Sequence, residues 1–121
     1  MFLKKLLLKV CRFFRGYPSL KLLFEEAREK KTKTIFIQPR IIIYEFIGAP
    51  HYILHGEIEL WAEEVKGTYL HPCYEVLVKN YDNEDFYYKE CEKAVQGYAD
   101  KFRKKIIEEG FNTVTNRLIV Q

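Results

Sequence analysis

The pattern of hydrophobic and polar positions divides the chain into a strand-forming middle and helical flanks. Between Ile35 and Lys79, three runs rich in β-branched and aromatic residues are separated by turn residues. The first holds Ile35-Phe36-Ile37 and then Ile41 to Ile47, and Gly48-Ala49-Pro50 ends it. Pro39 lies inside this run and cannot donate to a ladder, which predicts a break before the main strand or a bulge on an edge. The second run, Tyr52 to Val65, sets Leu54, Ile58, Leu60 and Ala62 at one parity and His55, Glu57, Glu59, Trp61 and Glu63 at the other. The third sets Leu70, Tyr74, Val76 and Val78 against His71, Cys73, Glu75 and Lys79. Such alternation predicts strands with one buried and one wetted face, joined as a hairpin around Gly67. Burying both apolar sets together pairs Ile58 with Val76 and Leu60 with Tyr74, and leaves a carboxylate-rich outer face.

The flanks read as helices. In residues 1–16, Leu3, Leu6, Leu7, Val10, Phe13 and Phe14 form an apolar stripe opposite Lys5, Lys9 and Arg12. A basic amphipathic helix of this kind covers a sheet, makes an oligomer contact, or lies on a membrane interface or an acidic partner, and the pattern leaves these alternatives open. After Gly16-Tyr17-Pro18 a second helix carries Leu20, Leu23, Phe24 and Ala27, and the Lys30 to Lys33 run is a polar loop. Beyond the strands, Asp82-Asn83-Glu84-Asp85 predicts a capped, acidic helix start. Tyr88, Cys91, Val95, Tyr98, Phe102 and Ile106 are its buried stripe, Gly110 its stop, and Phe111 to Gln121 an edge strand or docking tail. The expected fold is α+β in the order α-α-β-β-β-α-(β): a small antiparallel sheet of three strands, or four with the tail, and helices on one face. Residues 1–16 stand apart as the basic helix, and 17–121 form one domain of a size that supports a single core.

Composition changes this picture little. Twenty basic and seventeen acidic residues give +3, too mild to announce a nucleic-acid binder, although the first fifteen residues hold Lys4, Lys5, Lys9, Arg12 and Arg15 with no acid. Cys11, Cys73 and Cys91 are odd in number and widely spaced, which fits reduced thiols in an intracellular, cytoplasmic protein. No apolar run approaches the ~20 residues that span a bilayer, and Lys9 and Arg12 break up any secretory signal.

Pro39, Ile41 and the turn Gly48-Ala49-Pro50-His51 are similar to the proline, aromatic and Gly-Pro-x-His pattern of the double-stranded RNA-binding domain, and Pro18 to Gly110 resembles that domain's helix, three antiparallel strands and helix. The resemblance implies that His51 touches the RNA minor groove and that Glu26 or Glu29 does so from the preceding helix. Tyr88-Lys89-Glu90-Cys91-Glu92-Lys93 is similar to the lysine-led start of the family's last helix, which implies phosphate contacts from Lys89 and Lys93, with Lys101 and Lys104 on the basic helix end as further contacts. Tyr88 and Glu92 stand where the family has lysines, and the gap from His51 to Lys89 is longer than the family's. The family also buries the fourth residue after its histidine, here His55, which sits on the polar parity.

Other chemistry is sparse. His51, His55, His71 and Cys73 are zinc-ligand types, but the expected register puts His71 opposite Glu63, about 26 Å from His55 at strand rise. Glu57, Glu59, Glu63 and Glu75 read as a solvated face rather than a metal-binding one. Cys91 reads as core, and Cys73 as a thiol on the wetted face beside His71. The roles of His55, His71 and Cys73 stay open. No catalytic set, metal or cofactor is expected. The expected function is a small non-catalytic binding module for double-stranded or structured RNA. The alternative is an interaction, adaptor or oligomerisation protein that keeps only the architecture and meets a protein partner, a second copy or a membrane surface through its first helix.

Overall fold

The computed structural model describes residues 19–121. In chain order these form α1 (Leu20–Glu29), β1 (Thr34–Glu45), β2 (His51–Ala62), β3 (Tyr69–Lys79), α2 (Glu84–Glu108), β4 (Asn112–Thr115) and β5 (Ile119–Val120). The class is α+β as expected, and among the described residues one helix precedes the strands and one follows them. The helix expected over residues 1–16 lies outside the described residues.

Strands pair in the order β3-β2-β1-β4, and β5 also pairs with β1. β1, β2 and β3 are antiparallel neighbours, whereas β4 and β5 run parallel to β1 along its other side. The tail therefore does form strand, in two short pieces. Pro39 marks neither a break nor an edge bulge: β1 is continuous through it and central. The reason is local. Asn116 N donates to Ile37 O and Gln121 N to Ile41 O, so odd residues of β1 turn their polar backbone toward the tail. Residue 39 then faces residues 116–118, the gap between β4 and β5, where no ladder donor is required. Gln38 fills the same gap, its Nε2 donating to Pro39 O at 2.9 Å and Arg117 O at 3.0 Å while its Oε1 accepts from Asn116 Nδ2 at 3.2 Å.

Both described helices contribute to one core on one face of the sheet. Leu23, Phe24 and Ala27 of α1 cluster with Ile35, Ile37, Ile41, Leu54, Ile58 and Leu60 of the strands and with Cys91, Val95, Ala99, Phe102 and Ile106 of α2. Twenty-five residues make α2 about 38 Å long, enough to cross the sheet. Its start differs from expectation. Asn83 occupies the cap position at φ 56° and makes no side-chain cap bond, so Glu84 and Asp85 complement the helix dipole instead. Gly110, at φ +93°, ends the helix as expected. The chain then returns through Phe111, which stacks on Phe24 at 5.7 Å, while Arg28 pairs with Glu109 at 2.6 Å and ties α1 to the end of α2.

The β2–β3 register departs from the expected one. Val76 pairs with Leu54 and Tyr74 with Gly56, each four positions of β2 away from the expected Ile58 and Leu60, because β2 ends at Ala62, β3 begins at Tyr69 and the turn is therefore centred before Gly67. Past the Gly56/Glu57 step Cys73 is an extra residue, so Ile58 pairs with His71 and Leu60 with Tyr69. The bulge exchanges the faces of β3 on its two sides. Tyr74, Val76 and Val78 point to the helices above it, and Tyr69 and His71 do so below it. His71 thus leaves the wetted face where it was expected. Its ring packs 4.7 Å from Tyr98 and 5.1 Å from Phe102. Its β2 partner, Ile58, is three positions from His55, so the two histidines are much nearer than expected, but they lie on opposite faces of the sheet.

Gly56 sets how closely α2 approaches. A Cβ there would lie 2.5 Å from Val95 Cγ2 and 2.9 Å from Cys91 Sγ, so any side chain forces helix and sheet apart. Gly56→Ala is expected to cost about 1–3 kcal/mol in urea unfolding, and clearly less in a Val95→Ala background, where the new methyl has room. Burial, assisted by Glu92, pushes the Cys91 thiol from 9.0 up to about 11. The unfolded thiol ionises first, so this residue's contribution is complete below pH 9 and is lost as pH rises toward 11. Stability followed from pH 8.5 to 10 should fall in the wild type and fall less in Cys91→Ala; the raised Tyr44, Tyr52, Tyr74 and Tyr88, whose unfolded forms ionise around 10.0, add to the fall in both proteins and cancel in the difference.

Candidate functional site on the second face of the sheet

Strand alternation sends the remaining side chains to the face away from α1 and α2. Across β1 and β2 the facing pairs are Phe36 with Trp61, Gln38 with Glu59, Arg40 with Glu57, Ile42 with His55 and Tyr44 with Ile53. β3 adds Glu75 beside His55 and Leu77 beside Ile53, while β4 and β5 add Val114 beside Phe36 and Ile119 beside Arg40. The middle of this face is ionic and its two ends are apolar.

The ionic groups form one continuous row. Arg40 donates from Nη2 to Glu59 Oε1 and lies 3.6 Å through Nη1 from Glu57 Oε2. His55 Nε2 is 2.9 Å from Glu57 Oε1, and its Nδ1, buried and without a hydrogen bond, is 3.5 Å from Glu75 Oε2. Tyr44 meets the His55 ring edge-on at 6.1 Å. Burial, with Glu57 and Glu75 close by, raises its hydroxyl above the usual 10.0. Counting histidine as neutral, three carboxylates against one guanidinium leave the row two charges negative. Beyond it, Phe36 stacks on Trp61 at 5.3 Å.

This face is not the solvated surface that alternation predicts. Ile53 is 2% exposed, His55 3%, Gln38 5% and Glu57 6%, although no described helix lies over them. On a face that no described element covers, burial this deep is the defining property. Of the four carboxylates expected together, Glu57, Glu59 and Glu75 share the row, whereas Glu63 falls in the turn after β2 and is exposed. Among the described residues no group of three or more His, Cys, Asp or Glu is arranged to hold a metal ion. Arg40, Gln38 and Tyr44 were missed by sequence reasoning. Their signal was the polar parity of β1, obscured by Pro39 and by the run Ile41-Ile42-Ile43.

The residues implied by the RNA-domain resemblance lie elsewhere. His51 opens β2, half-buried, 5.9 Å from the Phe46 ring and paired with Lys79. Its neighbour Tyr52 donates to Glu84 Oε2 at 3.2 Å, which holds the β1–β2 turn beside the start of α2. Lys89 and Lys93 are exposed on that helix, as are Lys101 and Lys104 further along, with Lys101 Nζ 5.0 Å over the Tyr98 ring. Lys101 follows Lys89 by twelve residues, about 18 Å along the axis. Glu26 is exposed on α1, which is tied to the far end of α2. The structure thus brings His51 near the start of α2 and leaves Glu26, Lys101 and Lys104 toward the other end. Asp82, Glu84, Asp85, Glu90 and Glu92 surround Lys79, Lys89 and Lys93 along the chain, so this end is acidic. All seventeen acidic residues but only fifteen of the twenty basic ones fall within 19–121, which leaves the described body at −2.

Replacing Arg40 with Met would remove the guanidinium that Glu57 and Glu59 share, and is expected to destabilise the protein by about 3 kcal/mol in urea unfolding. Arg28→Met, which breaks a half-exposed pair, should cost at most about 1 kcal/mol in the same measurement. No family model, no curated protein and no solved structure matches the chain.

Proposed function

We propose that the protein is a non-catalytic interaction module whose working surface is the second face of the sheet, where it holds a basic, amphipathic partner segment. The observation that carries this reading is the deep burial of an acid-rich row between two apolar patches on a face that no described element covers. Apolar residues of such a segment would meet Phe36, Trp61 and Val114 at one end and Ile42, Ile53 and Leu77 at the other. Its cations would reach Glu59 and Glu75, whose side chains keep about a fifth of their surface open. The net charge of −2 on the described body also suits a basic partner better than a polyanion.

Trp61, the one tryptophan of the chain, reports on this surface. In the full-length protein its fluorescence should be shielded from acrylamide well beyond what stacking on Phe36 provides. Glu75→Lys, which places a cation in the row, should red-shift the emission and raise quenching while far-ultraviolet circular dichroism stays native. A tryptophan open to quencher in the wild type and unmoved by Glu75→Lys would overturn the reading.

A second reading, RNA-duplex binding, is favoured by one observation: the Tyr52–Glu84 hydrogen bond keeps the His51 turn beside the helix that carries Lys89 and Lys93. Binding to an RNA duplex, a DNA duplex and single-stranded RNA at two salt concentrations separates the two. The interaction reading expects no preference. RNA-duplex binding would show one, with a log–log salt slope near about −2 for two lysine contacts and a loss of about tenfold or more in Lys89→Glu/Lys93→Glu.

A further inference from the structure

We infer that the segment held on the second face is the chain's own residues 1–16. This rests on the interaction reading above and names its partner. The charges are complementary: the row is two negative, and the first fifteen residues carry Lys4, Lys5, Lys9, Arg12 and Arg15 with no acid. All of the chain's positive excess resides in this stretch, because the described body is itself negative. Shape is complementary as well. Leu3, Leu6, Leu7, Val10, Phe13 and Phe14 recur at helical spacing, and on the polar side opposite them Lys4 and Lys9 stand at the two borders, next to the stripe. Sixteen residues at helical rise reach about 24 Å. The twelve-residue strands β1 and β2 offer about 40 Å, so the segment fits lengthwise between the Trp61 and Ile53 ends of the face. Stripe against apolar ends, with flanking lysines turned onto Glu59 and Glu75, would keep water from Ile53, His55 and Glu57, the most deeply buried residues of this face.

Carbodiimide cross-linking of the unmodified full-length protein tests this. The reagent joins a lysine amine to a carboxylate in contact with it, with loss of water. The expected products are monomers with amide links from Lys4, Lys5 or Lys9 to Glu59 or Glu75, read by peptide mass spectrometry. Their yield should fall several-fold between about 0.02 M and about 0.5 M salt as the ionic contacts are screened. An equal mixture of ¹⁴N and ¹⁵N protein distinguishes the source. Links joining light to heavy peptides would mean that a second copy supplies the segment, and would overturn the inference. Links from these lysines only to acids of α2 or its flanking turns, or no links at all, would overturn it too. If Trp61 is nevertheless shielded in those cases, the interaction reading stands with another occupant; if Trp61 is open, both fall together.

Discussion

The close approach of α2 to the sheet at Gly56 is the constraint on which the rest of the architecture depends. With hydrogen in place of a side chain at the centre of β2, Val95 and Cys91 descend almost onto the backbone. The helix can then cover all three antiparallel strands along its length. That leaves Leu54, Ile58 and Leu60 to fill the space on either side of residue 56. The adjacent bulge at Cys73 belongs to the same region: the extra residue lies opposite the Gly56/Glu57 step and re-aims β3. As a result, Tyr69 and His71 enter the core toward the end of α2, where Phe102 receives them.

Much of the fold was legible from residue pattern because one-sided burial leaves a periodic record. Leu23, Phe24 and Ala27 on α1, and Cys91, Val95, Phe102 and Ile106 on α2, occupy the stripes that helical spacing assigns them, and Gly110 ends α2 where its conformational freedom is needed. The β2 parity was equally clear. The β3 parity was not, since Leu70, Tyr74, Val76 and Val78 share even numbering whether or not a residue is inserted among them, and only pairing geometry reveals the insertion. Pro39 misled for a related reason. A missing donor is a defect only where a partner strand needs it, and the partner at that point is the break between β4 and β5, far away in sequence.

The second face was the least legible part. Alternating Glu and His on β2 is what a solvent-facing strand also shows, so nothing local separates a wet face from a covered ionic row. The distinction resides in long-range facts: Arg40 arriving from β1 between Glu57 and Glu59, Glu75 arriving from β3 beside His55, and the burial of His55 and Glu57 among them. The sheet carries helices on one side and apolar-flanked charge on the other, and its two faces answer to different variables: the hydrophobic one is largely insensitive to salt, whereas the ionic one responds to ionic strength.

The pairing of β1 with the tail also shapes how the protein is made. Thr34 to Ile41 find their second neighbours only at residues 112–120, so during synthesis β1 is the edge of a three-stranded sheet until nearly the whole domain has left the ribosome. An exposed strand of isoleucines in a nascent chain invites pairing with other chains. Pro39, which withholds a donor from the middle of that waiting edge, and Gln38, whose amide later closes the same gap from within, make the edge a poor template for strangers and an adequate one for its own tail.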